Sequence, residues 1–387
     1  MNKQKLAALL AKNESTKLDF KESLSLKTDW EKKELAKDVT AIANSKGGRG
    51  YIIFGVQDKT KKIIGINVPE YQEEQIQQIV SQRCDPPVTV KFDLVNYDDK
   101  TVGVLTIYKS NQKPHQILHN GSFYLRRGST TDIARREEIA GMLQDSGLLQ
   151  YETIALNNVS IDQLDRDIII KYLEKSGLKI EYDRFENLYP LLEGLGIISG
   201  EEDGESYHPT IGGLLVFGNR PQQFLPHTGI KVVDGKNNTG QYFYGDITSM
   251  LDKVEDYLAN LIKKQDYPMA AIAEAIANSV VHRDYFSYGR ETVVYISKNH
   301  IEISNPGALY NKSDIHSLLK ENNPYRRNSW LYHRLLVLDE KNRFLKTGSG
   351  LRRIKDSFVD YGKVRFINNE KRNMFKVILP GGFSILY

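Results

Sequence analysis

Apolar and polar positions alternate along the chain in two periods, one near two and one near 3.6, which predicts mixed α/β units. Trp30–Ser45 places Trp30, Leu35, Val39, Ile42 and Ala43 at helical spacing. Gly47-Gly48 follows and stops that helix, because glycine takes the left-handed cap cheaply. Tyr51–Val56 (YIIFGV) is apolar without a break, as a buried strand is. Asp58–Lys62 then turns and Ile63–Ile66 returns. Val88–Val95 and Thr101–Tyr108 alternate across Asn96–Lys100, which predicts a hairpin. Lys17–Lys21 and Phe123–Arg127 are short strands by the same pattern, and Glu137–Leu148 is a helix.

Residues 151–205 change character. Asp162–Lys175 and Asp183–Leu195 predict two helices, followed by the polar run Ser199–Ser206. The pair has the form of a helix–turn–helix, but no basic recognition helix follows the turn. From Tyr207 a second α/β unit begins. Gly212–Gly218 (GGLLVFG) and Gly229–Val233 are strand-like, and Ile247–Lys264 and Met269–His282 are helical. Glu291–Ser297 and His300–Ser304 form a hairpin; Asn328–Leu338 and Gly350–Phe358 are helices; Lys363–Asn368 and Met374–Leu379 close as strands. The expected architecture is α/β (α+β) in three parts: 1–150, a helical connector 151–205, and 206–387.

With 387 residues the chain exceeds one ordinary core. Its apolar and charged fractions, 40% and 26%, are those of a folded protein rather than a disordered one. A net charge of +4 is mildly basic and only weakly favours a polyanionic partner. The one cysteine, Cys84, excludes an internal disulfide and suits a reducing compartment. No apolar run approaches membrane length, and the apolar patch near the N-terminus is too short for the core of a signal peptide. These features predict a cytoplasmic protein with no membrane partner.

Two segments carry candidate chemistry. In Glu14-Ser-Thr-Lys-Leu-Asp19-Phe-Lys21, strand alternation points Asp19 and Lys21 the same way, beside the carboxylate of Glu14. Carboxylates hold Mg²⁺ or Mn²⁺, which polarise a phosphate and activate water, and a lysine steadies the developing charge. Asp58, just past the YIIFGV strand, is positioned to supply a third carboxylate. The same spacing also suits a solvated strand face. Arg126, Arg127, Arg135 and Arg136, interleaved with Phe123 and Tyr124, suit phosphate contact and base stacking, or equally a solvated edge.

The ordered set ESTKLDFK, AIANSKGGRGYIIFGVQDKTKKIIGI and FYLRRGSTTDIARREEI resembles the Schlafen-type, AlbA-related domain over about residues 10–145. The resemblance implies a mixed-sheet domain. In nuclease members it also implies metal-dependent cleavage of tRNA or other RNA, with Glu14, Asp19 and Asp58 as metal-holding acids. Asp19 stands where the family usually has Glu. Other members of the family are DNA-binding or regulatory.

In the second segment, Glu274 and Asn278 lie one helical turn apart and so share a face. Asn305-Pro306-Gly307 follows a strand, and Thr347-Gly348-Ser349-Gly350-Leu351 opens a helix, where backbone N–H groups can reach phosphate. The order EAIANSVVHRDY, IEISNPGAL and KTGSGLRRI resembles the two-layer α/β ATP-binding domain of gyrase, histidine kinases, mismatch-repair ATPases and a heat-shock chaperone. HPTIGGLLVFGNRPQQFLP matches the variant found behind Schlafen-type domains in bacterial proteins called ATP-binding transcriptional regulators. That resemblance implies Asn278 as Mg²⁺ ligand, Glu274 as base, Asn305 and Gly307 on the adenine side, and Thr347, Gly348 and Gly350 in the phosphate loop. Residues between Leu309 and Lys346 would be a lid; Arg326, Arg327, Arg334, Arg343, Lys346, Arg352, Arg353 and Lys355 there and just beyond suit a γ-phosphate clamp, a nucleic-acid face or simply a solvated face. Asn305 replaces the usual Asp. Three expectations follow. One is an ATP-gated, metal-dependent nuclease that forms a homodimer or higher homo-oligomer and serves phage defence or a stress response. A second is an ATP-sensing nucleic-acid-binding regulator that cuts nothing. A third is an ATPase scaffold serving a separate partner.

Overall fold

A computed structural model describes the chain except residues 59, 68–71, 179–180, 202–205, 310–314, 320–325, 345–349, 371 and 386–387. The chain divides into two compact units, Met1–Leu149 and Gln150–Tyr387, and the fold is α/β.

The first unit runs α1 (Lys3–Leu10), β1 (Leu18–Lys21), α2 (Asp29–Asn44), β2 (Gly50–Phe54), α3 (Glu73–Arg83), β3 (Cys84–Asp85), β4 (Val90–Tyr97), β5 (Lys100–Ile107), β6 (Gln116–Ile117), β7 (Ser122–Arg127), β8 (Thr130–Ile133) and α4 (Arg136–Asp145). Its main sheet has the order β1-β2-β5-β4, with β1 parallel to β2 and the other pairs antiparallel. A smaller sheet has the order β3-β6-β7-β8. The unbroken apolar run of β2 is explained by burial on both faces. Ile52 and Phe54 pack with Leu35, Val39 and Ile42 of α2, while Tyr51 and Ile53 pack with Leu6 and Leu9 of α1. The same alternation sends Leu18 and Phe20 of β1 to the α1 side and leaves Asp19 and Lys21 on the other.

Helix α2 starts at a capping box: the Thr28 hydroxyl accepts from the Glu31 N–H, and the Glu31 carboxylate accepts from the Thr28 N–H. Trp30, expected on the buried face, is instead 69% exposed. It sits in the first turn, ahead of the stretch from Leu35 onward that meets the sheet. The β4–β5 hairpin turns on Asp98 and Asp99, both at positive φ, as a two-residue turn of the twist-matched type requires. Cys84 is buried, and desolvation pushes its thiol up to about 12, so it behaves as a packed hydrophobe.

The second unit runs α5 (Arg166–Lys175), α6 (Tyr189–Gly194), β9 (Ile198–Gly200), β10 (Tyr207–Pro209), α7 (Ile211–Phe217), β11 (Ile230–Asp234), β12 (Thr239–Phe243), α8 (Ile247–Leu261), α9 (Met269–Val281), β13 (Thr292–Ile296), β14 (His300–Pro306), α10 (Ile315–Leu318), α11 (Ser329–Leu338), α12 (Gly350–Ser357), β15 (Arg365–Asn369) and β16 (Met374–Pro380). Its large sheet has the order β12-β11-β13-β14-β16-β15. One apolar core joins Leu173 of α5 and Leu192 of α6 to Ile276 of α9 and Ile303 of β14, so α5 and α6 pack into the same core as the rest of the unit.

GGLLVFG, expected as a strand, is helix α7. Thr210 caps it by accepting from the Gly213 N–H at 2.9 Å, and all seven helical residues are buried. An apolar run of that length suits a buried helix as well as a buried strand. Among the described residues no helix is long and apolar enough to cross a membrane.

Candidate functional site

In the second unit, α9, β14 and α12 converge on a cavity of about 150 Å³ lined by Glu274, Asn278, Asn305, Gly307, Gly350 and Arg353, among others. Glu274 and Asn278 share a face of α9, as their spacing predicts. Gly350 opens α12 against them: a Cβ there would sit 2.8 Å from Glu274 Oε1 and 3.1 Å from Asn278 Nδ2. Only glycine leaves that space clear. Gly307 is fixed by a second close approach. Its φ is +117°, and a Cβ would sit 3.0 Å from both the Asp284 nitrogen and the His282 oxygen. The loop after β14 therefore lies backbone to backbone against the His282–Asp284 turn, where the Asp284 N–H donates to the Pro306 oxygen at 2.8 Å. Asn305 is buried, and its amide donates to the Pro306 carbonyl at 3.1 Å. Thr347 and Gly348, with Lys346, lie outside the described residues.

Cations surround this cavity. Arg353 Nη2 donates to Glu274 Oε1 at 2.5 Å, and its Nε lies at 3.2 Å from the same oxygen. Arg327 donates to the Ala308 carbonyl at 2.6 Å and pairs with Asp284 at 3.5 Å. Arg326 stacks over the Tyr332 ring at 4.2 Å. Burial, reinforced by Arg327 and Arg326, pushes His282 down to about 4, so its imidazole is neutral at pH 7. Asn328 is fully buried and donates to the carbonyls of Val281 and Arg283, closing the C-terminal end of α9. Three of the arginines considered for a phosphate clamp or a nucleic-acid face have protein partners, although Arg343 also lines the cavity. Arg343 is buried among Asp339, Glu255 and Asp252 at 2.7–3.1 Å. Arg334 donates to the Leu195 carbonyl at 2.9 Å and stacks on Trp330, and Arg352 donates to the Leu319 carbonyl at 2.7 Å.

The fit of a nucleotide with its Mg²⁺ rests on this donor set. A neutral amide oxygen suits a hard cation, the position opposite it is kept free of a side chain, and arginines border the space.

In the first unit the candidate acids come together, but with cations among them. Asp19 is buried; its Oδ1 accepts from Arg126 Nη1 at 2.7 Å, and its Oδ2 lies 3.1 Å from Lys21 Nζ. Lys21 is shared with Asp38 of α2, also at 3.1 Å. Glu14 Oε1 accepts from the Phe20 N–H at 2.8 Å. Burial raises Glu14 to about 7; the Phe20 bond opposes this, while the neighbouring Asp19 and the charge of Asp58 add to it. Asp58 itself is exposed.

Asp19 thus already has two cationic partners. Among the described residues no group of three His, Cys, Asp or Glu side chains is placed to hold a metal ion. The arrangement does not fit the Mg²⁺ or Mn²⁺ expected at Glu14, Asp19 and Asp58.

Arg126, expected to contact nucleic acid, is 4% exposed and belongs to this cluster. Its placement comes from the end of α2. Ser45 Oγ accepts from the Arg126 N–H at 2.7 Å, and Asn44 donates to the carbonyls of His115 and Tyr124. Asp38, Asn44 and Ser45 are not singled out by the sequence; the i, i+3 spacing of Asp38 from Leu35 is the available signal. Arg127 is held by Glu138 at 2.8 Å and Asp132 at 3.0 Å. Arg135 and Arg136 are exposed at the start of α4. Arg49, over the Tyr108 ring at 4.8 Å, and Lys37, over Tyr124 at 5.9 Å, form further cation–aromatic pairs.

Comparison with known proteins finds a family match in each unit. Residues 14–135 match the family described as "Schlafen, AlbA_2", and residues 289–379 match that described as "Putative ATP-dependent DNA helicase recG C-terminal". The chain therefore carries a Schlafen AlbA_2 domain followed by a C-terminal ATPase-type domain. The DIP2311 protein from Corynebacterium diphtheriae is 16% identical over 98% of this chain and 69% of its own, with a TM-score of 0.41. The N-terminal domain of the "Putative ATP-dependent DNA Helicase RecG-related Protein" from Nitrosomonas europaea is 21% identical over 34% of this chain and 89% of its own, with a TM-score of 0.25. No curated protein matches.

Proposed function

We propose that the protein is an ATP-sensing, nucleic-acid-binding regulator. The observation that carries this reading is the convergence of Glu274, Asn278 and Gly350 on a cavity bounded by Asn305 and Gly307. Asn278 would hold Mg²⁺ through its side-chain oxygen, and the backbone at Gly350 would approach the phosphates. Asn305 spends its amide on Pro306, which leaves its oxygen to accept from the adenine amino group. Bound Mg²⁺ would offset phosphate charge. The AlbA_2 match, with Arg135, Arg136 and the Arg49–Tyr108 pair, supports nucleic acid as the partner of the first unit.

A nuclease is the second reading, favoured by the proximity of Glu14, Asp19 and Asp58. It ranks second because Arg126 and Lys21 already neutralise Asp19. Homo-oligomerisation and a role in phage defence rest on the resemblance alone.

The test incubates the purified chain with tRNA, single-stranded RNA, single-stranded DNA and duplex DNA. Each is run with Mg²⁺ or Mn²⁺, with and without ATP, beside Glu14→Ala/Asp19→Ala and Asn278→Ala. Binding without cleavage, changed by ATP in the wild type but not in Asn278→Ala, is the expected result. Cleavage that disappears in the double variant would establish the nuclease instead.

A further inference from the structure

The Glu274–Arg353 pair is asymmetric. The Glu274 side chain is 5% exposed, while that of Arg353 is 34% exposed. The carboxylate is fixed in the wall of the cavity, and the guanidinium reaches it on a long, rotatable stem. Arg353 and Glu274 also border an open groove with Ala270, Ala271, Asp356 and Ser357, so the pair separates cavity from groove. The pair stands beside Gly350: the position a Cβ would take there is 2.8 Å from Glu274 Oε1 and 3.7 Å from Arg353 Nη2.

Resting on the reading of this cavity as a nucleotide site, we infer that Arg353 discriminates ATP from ADP by transferring its guanidinium from Glu274 to the terminal phosphate. Two physical arguments favour the transfer. A terminal phosphate carries more charge than a carboxylate and presents several oxygens to the guanidinium fork. A phosphate entering beside Glu274 would also meet a buried like charge unless a cation lay between them, and Arg353 is the cation already there. A diphosphate, lacking the terminal group, leaves the Glu274–Arg353 pair intact. The pair is then the resting state of a switch set by the third phosphate.

The experiment measures binding of ADP and of the non-hydrolysable triphosphate AMP-PNP, both with Mg²⁺, by titration calorimetry on the full chain. Arg353→Gln is expected to weaken AMP-PNP about tenfold to a hundredfold, the range of a charge-assisted hydrogen bond, and ADP by less than about threefold. Because Arg353→Gln removes a cation from beside a buried carboxylate, Glu274→Gln/Arg353→Gln is measured in parallel. It removes both charges and is expected to lose the triphosphate preference while keeping the wild-type melting temperature. Equal weakening of both nucleotides, or no change in either, in that double variant overturns the transfer while leaving the nucleotide site in place. Failure of the wild type to bind either nucleotide overturns the site and the transfer together. Asn278→Ala separates the cases, since it should impair both nucleotides only if the site is real.

Discussion

Asp19 shows how one side chain can be read two ways from sequence and one way from structure. Strand alternation placed it beside Lys21, and the fold adds Arg126 from β7 on its other oxygen. A buried carboxylate between two cations is stable only while both are present, because removing one exposes the full desolvation cost of the remainder. Arg126→Ala is therefore expected to destabilise the first unit by about 3–5 kcal/mol. Asp19→Asn/Arg126→Gln, which removes the charges and keeps the shapes, should cost much less. Urea-dependent amide hydrogen exchange of the buried strand residues Ile52 and Ile53 checks this. Similar losses for both variants would show that packing, rather than charge, is at stake.

At the scale of elements, α7 is the informative failure. Its run Gly-Gly-Leu-Leu-Val-Phe-Gly has no polar position to reveal a period, so strand and helix were indistinguishable until Thr210 was seen to cap it. The glycine there has a steric reason: a Cβ on Gly213 would fall 1.9 Å from the Ile197 carbonyl oxygen. Gly213→Ala is expected to lose several kcal/mol despite the higher helix propensity of alanine, because backbone rather than a flexible side chain must move. A melting temperature equal to or above wild type would contradict the close contact.

Elements with a clear period were legible: α2, the β4–β5 hairpin, α8 and α9. Short pieces such as β6 and β8 were not, since their burial depends on partners distant in sequence. The candidate site divides the same way. Glu274, Asn278, Asn305 and Gly307 could be placed because helix spacing and strand–turn order bring them together. Arg353 as the partner of Glu274, and Arg343 as the centre of an ion network with Asp252, Glu255 and Asp339, required the fold.

The whole molecule has separate hydrophobic cores in its two units. Glu14 in the first, and His227 and His282 in the second, are each partly opposed by a buried group shifted the other way, His115 in the first unit and Glu152 in the second. In the first, Glu14 rises from its ordinary 4.5 to about 7, so the folded state binds more protons than the unfolded chain in that interval. Stability of the first unit then falls as pH rises from about 4.5 to 7, and the loss is complete above it. In the second, burial pushes His227 and His282 down from 6.5 to about 4, so the folded state binds fewer protons there. Stability of the second unit is full above 6.5 and falls as pH drops toward 4. Lowering the pH from 7 to 5 should therefore raise the transition of the first unit and lower that of the second. Scanning calorimetry of the full chain at both values tests this, with Mg²⁺ and ATP added to mark the second transition by ligand stabilisation. Glu14→Gln, which keeps a donor toward Asp19 without a titrating proton, should flatten the pH response of the first transition only. Transitions that shift together in acid, or a response unchanged by Glu14→Gln, would refute the assignment of the two groups to two independently stabilised cores.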